Sequence, residues 1–83
     1  MDVKGYIKRV HMDDVACYIL LKNDKGESIK GTFQLLKTHP TFNATYSLIL
    51  SAAVNKYNIN LGGPDKVSGE GFTKVIRAFV DWG

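Results

Sequence analysis

The sequence is short of the devices with which small domains usually staple themselves together. It has one cysteine, Cys17, in 83 residues, which excludes an intrachain disulfide. With only His11 and His39 beside it, no zinc-ligand spacing can be assembled, and neither a metal nor a cofactor is expected. No apolar run reaches membrane-spanning length without polar interruption. The opening MDVKGYIKRV has no apolar stretch after its first basic residue, so it does not read as a secretory signal. The expected location is cytoplasmic, or secreted or periplasmic if a signal has been trimmed. Charge is missing from one place above all: residues 38 to 55 contain no Lys, Arg, Asp or Glu.

What is present suits a single globular domain over residues 1–83, with 45% hydrophobic and 23% charged residues. A chain this short buries roughly two thirds of its unfolded surface and folds on a thin margin. Without disulfide or metal, self-association is the remaining source of stability. The net charge of +3 is spread along the chain and interrupted by acids. No basic block marks a polyanion groove.

Hydropathy patterning gives five strands and one helix. Residues 3–10 and 15–22 read as strands around a short polar turn, and the second is apolar at nearly every position. Asn23, Asp24, Lys25 and Gly26 make a hairpin turn. Residues 28–36 alternate, with Ile29, Gly31, Phe33 and Leu35 on one side and Ser28, Lys30, Thr32 and Gln34 on the other. Residues 38–58 read as a helix started by Pro40 and capped from Thr38, Thr41 or Asn43. Its apolar stripe is Phe42, Tyr46, Ile49, Leu50, Ala53 and Tyr57. A short strand around Ile59 and Leu61 follows, then a glycine-rich loop over 62–73, then a closing strand over 75–82.

The order β-β-β-α-β-β is mainly β with one helix. A ferredoxin-like fold needs a second helix, and a doubly wound fold needs more βαβ units than fit. The order is that of a five-stranded OB-fold-like barrel, with the helix plugging one end. The helix back, Ala44, Ser47, Ser51 and Asn55, is uncharged where a solvated face normally carries charge. It is expected to meet another subunit.

Three stretches carry a resemblance to a known group: YIKRVHMDDVACYILLKN, GTFQLLKTHPTFNATYSLILSAAVNKYNINL and KVIRAFVDW. In element order and apolar pattern the chain resembles the B subunits of bacterial AB5 toxins, nearest to the subtilase cytotoxin type. The resemblance implies a homo-oligomeric ring, a pentamer, with helices lining its pore, glycan ligands on its outer surface and a catalytic partner subunit.

Among candidate sites, Cys17 with His39 could form a nucleophile–base pair, but a free cysteine in an apolar strand is a core residue by type. His39-Pro40 reads as a helix start, and the loop GGPDKVSGEG lacks the phosphate-loop pattern. No catalytic residue is assigned. Tyr6, Tyr18, Phe72 and Trp82 are the aromatics not claimed by the helix stripe, and their faces suit sugars as well as bases. Lys30, Thr32 and Gln34 lie on the strand side that serves as the usual binding face of an OB-fold. The ligand-binding set is therefore Tyr6, Tyr18, Lys30, Thr32 and Gln34. The expected function is a non-enzymatic oligomeric module that binds carbohydrate. The alternatives are a single-stranded nucleic-acid binder on the same barrel and a purely structural assembly subunit.

Overall fold

The computed structural model describes residues 1–69 and 71–81. Its elements are β1 (Asp2–Met12), β2 (Ala16–Lys22), β3 (Thr32–Leu36), α1 (Phe42–Asn55), β4 (Asn58–Gly62), β5 (Phe72–Lys74) and β6 (Arg77–Phe79). The chain is mainly β with one helix, as the patterning predicts. All six strands form one mixed sheet in the order β5-β3-β2-β1-β4-β6, curled as a half-barrel. Neighbours are antiparallel except β3 and β5, which run parallel.

Among the described residues the expected five strands are six: the predicted closing strand over 75–82 shortens to β6, and an additional strand, β5, precedes it. β5 begins in the stretch read as loop over 62–73, and Trp82 falls outside the described residues. The cause is a change of partner at two adjacent residues. The Val75 N–H donates to the Gln34 carbonyl of β3 at 2.9 Å, and the Ile76 N–H donates to the Gly62 carbonyl of β4 at 2.8 Å. One straight strand cannot serve both edges of the sheet. Gly63 makes the switch sterically feasible, since a Cβ on it would run into the Lys74 carbonyl oxygen.

β2 lies inside the sheet between β1 and β3 and turns Cys17, Ile19 and Leu21 into the core with no exposure. Its outward residues, Tyr18, Leu20 and Lys22, are half-buried, so the strand is covered fully on one face rather than two. Phe33 and Leu35 of β3, Ile49 and Ala52 of α1, Ile59 and Leu61 of β4 and Val75 complete the buried cluster. Each Phe, Leu, Ile or Val side chain among them contributes about 1.5–3 kcal/mol of burial free energy. The predicted hairpin turn is present. The Asn23 Oδ1 accepts N–H bonds from Lys25 at 3.0 Å and Glu27 at 2.9 Å, and Gly26 takes φ 82°.

The helix is shorter than the predicted 38–58. Pro40 lies in the turn before it, and Thr41 sits at the N-cap without a side-chain capping bond. Instead the Thr41 N–H donates to Nδ1 of His39 at 3.3 Å. The helix ends at Lys56 in the left-handed conformation, φ 57°. Its core face is Thr45, Ile49 and Ala52, rotated from the predicted stripe: Leu50 is 38% exposed, and Tyr57 lies past the end. A helix without charge gives little contrast between its sides, so apolar spacing alone fixes the face poorly. Thr45 reads as polar, yet its hydroxyl lies 3.4 Å from that of Thr41 one turn earlier, which lets the rest of it pack inward. Among the described residues no helix is long and apolar enough to cross a membrane.

Candidate binding face

Strand alternation sends every second side chain of β1, β2, β3 and β5 to the outer face of the curl. Register then decides which of them meet. Tyr18 of β2 lies opposite His11 of β1 on one side and Gln34 of β3 on the other. Because β5 is parallel to β3, Phe72 comes opposite Thr32, and Lys74 opposite Gln34. Phe72 leans across β3 onto Tyr18, with ring centroids 4.8 Å apart, and Tyr18 lies 6.0 Å from the His11 ring. The three rings form a row across the sheet. Phe72 is 56% exposed, far more than an aromatic placed only for packing requires.

Among the described residues, two cations stand near the row. Arg9 stands opposite Leu20, one outward position along β1 from His11, and Lys74 is exposed beside Gln34. The carboxylate at the edge is Asp13. Its Oδ1 accepts the Ala16 N–H at 2.9 Å and the Val15 N–H at 2.8 Å. These backbone bonds, with smaller help from the Tyr18 hydroxyl and from His11, hold its carboxyl below the usual aspartate range. Asp13 therefore fixes the turn leading into β2 and with it the position of Tyr18.

Of the predicted ligand residues, Tyr18, Thr32 and Gln34 are brought together on this face. Lys30 is not on the strand: β3 starts at Thr32, and Lys30 lies against Gly69, whose added Cβ would come within 2.8 Å of the lysine Cε. Tyr6 lies at the far end of the sheet, opposite Lys22. It lines an open cleft of about 510 Å³ between the Asn23–Gly26 turn and the end of α1. The face also contains residues that the strand pattern missed. His11 was expected in a turn, and β1 runs one residue past it. Phe72 and Lys74 join the face only through the parallel pairing of β5, which no local signal announces. The exposed aromatic itself was the available clue.

Cys17 is fully buried, and burial pushes its thiol above the ordinary range, the reverse of an activated nucleophile. Nδ1 of His39 is occupied by the N–H and, at 3.1 Å, the hydroxyl of Thr41. On the helix, Ala44, Ser47, Ser51 and Asn55 are all exposed on the single chain, flanked by Leu50 and by Val54 at 80% exposure. Comparison with models of protein families, with curated proteins and with solved structures returned no match, so the face is read from its own chemistry.

Proposed function

We propose that this chain is a non-enzymatic, self-associating module whose outer sheet face binds carbohydrate. One observation carries the reading: the exposed Phe72 ring resting on Tyr18 at 4.8 Å, beside Thr32 and Gln34. A sugar offers an apolar C–H face and a rim of hydroxyls. Flat rings take the first, and a side-chain amide and hydroxyl take the second. In this reading β5 and β6 act as two halves of one strand, and the sheet is a five-stranded OB-fold-like barrel whose β1–β2–β3 side is the binding face.

The uncharged helix side, Ala44, Ser47, Ser51 and Asn55 with exposed Leu50 and Val54, meets further copies of the chain. A ring of five, with a separate catalytic subunit, follows from the resemblance to toxin B subunits. A glycan array tests the ligand: selective binding that Phe72→Ala lowers at least tenfold is expected, and silence from a well-folded sample would sink it. Sedimentation velocity tests assembly, and a monomer at high concentration would remove that half of the proposal.

A second reading is favoured by Arg9 and Lys74 beside the rings. Stacking surfaces with adjacent cations also suit single-stranded nucleic acid. Oligonucleotide affinity that falls steeply with added salt would select it over the sugar.

A further inference from the structure

We propose that the cleft at the other end of the sheet is a separate site for the acidic group of a hydroxyl-rich anion, a sugar bearing sulfate, phosphate or carboxylate. The proposal rests on the carbohydrate reading for the body of the ligand and not for its charge.

Three lysines line this cleft, Lys22 at the end of β2, Lys25 in the hairpin turn and Lys56 at the end of α1. They face a single carboxylate, Asp24. Among the described residues none of these four side chains is engaged in an ion pair or a hydrogen bond. Cations gathered in a concave site without partners raise the local potential and draw in an anion. The wall is also partly apolar, with Tyr6, Ile7 and Ala53, which suits a ring-shaped body.

A second observation points to hydroxyls. A smaller adjoining cleft of about 230 Å³ shares Tyr6, Asn23 and Asp24 and is also lined by Lys4 and Asn58. The Asn58 Oδ1 is shut off from water and has no hydrogen-bond donor. Buried acceptors are ordinarily paired, and a rotation of the Asn58 amide toward the cleft it lines would let a ligand O–H pair this one.

The backbone supplies a third. Lys56 is the only non-glycine residue with positive φ among the described residues, at 57°. Glycine takes this helix-ending position without a Cβ penalty. A lysine there puts a cationic residue on the cleft wall that glycine would not supply.

The test is titration calorimetry at low salt with a sulfated tetrasaccharide, its desulfated counterpart and glucose 6-phosphate. The wild-type chain is expected to bind the sulfated or the phosphorylated sugar at least tenfold tighter than the desulfated one. The doubly substituted Lys22→Gln/Lys56→Gln chain, its fold checked by circular dichroism, is expected to lose that preference. Phe72→Ala is expected to leave affinity for the anionic probes within twofold. Equal binding by the wild-type and lysine-substituted chains, or no binding of either anionic probe, overturns the proposal. Neutral glycans bound through Phe72 alone would overturn this site and leave the outer-face reading intact. Anion binding that needs the lysines, with neutral glycans silent, would do the reverse.

Discussion

Phe33 and Phe72 occupy neighbouring strands one register step apart, Phe33 opposite Thr73 and Phe72 opposite Thr32, and they have opposite fates. Phe33 has no exposure, whereas Phe72 is 56% exposed. The same side chain is a core element on one face of the curled sheet and a surface element on the other. The difference shows how little residue type decides in a strand and how much the pleat does. It also separates the molecule's two tasks: the inner face holds the fold, and the outer face is free to bind.

The comparison can be broken by substitution. Phe33→Ala is expected to destabilise the chain by about 3–5 kcal/mol, measured by urea unfolding, because it opens a cavity in the core. A loss near zero would mean the inner face is not the structural one. Gly63→Ala tests the crossing between the two sheet edges that carries Phe72 to its place on the outer face. Its methyl group would meet the Lys74 carbonyl, and a loss of about 2–3 kcal/mol is expected in the same assay. Phe72→Ala should change stability by less than about 1 kcal/mol while removing ligand affinity. A large unfolding effect would move Phe72 to the structural side.

The smallest effect concerns Asp13. Its carboxyl is held low in the folded chain by backbone N–H bonds. Its contribution is therefore fully present above the ordinary aspartate range and is lost as pH falls through the lowered folded value. Asp13→Asn keeps the acceptor oxygen and removes the titration. Thermal melts in the acid range should show a slightly flatter pH dependence than the parent chain.

Much of the fold was legible because local pattern and tertiary role agree. The apolar run of β2 marks an interior strand, and Asn23 to Gly26 makes the turn its chemistry demands. The helix was legible as an element but not in its facing, since Thr45 looks polar until its hydroxyl finds Thr41, and Leu50 looks buried until it is not. The extra strand β5 could not be read, because the change of partner after it depends on Gln34 and Gly62 offering carbonyls from opposite edges. For the same reason only part of the candidate face was visible. Alternation along β2 and β3 gives Tyr18, Thr32 and Gln34, but Phe72 and Lys74 arrive through a parallel partner far along the chain. Lys30 was misplaced by extending β3 back through Gly31, which takes φ 107° and breaks the strand.

The change of partner at Val75 and Ile76 matters during synthesis as well as in the finished molecule. Strands β3 and β4 each need a second neighbour, and both neighbours lie in the last stretch of described chain to leave the ribosome. Until then the nascent sheet ends in the five-residue strands β3 and β4 rather than in the three-residue strands β5 and β6, and longer open edges pair more readily with other chains. How quickly residues 72–79 dock on both sides thus sets how long those longer edges stay exposed.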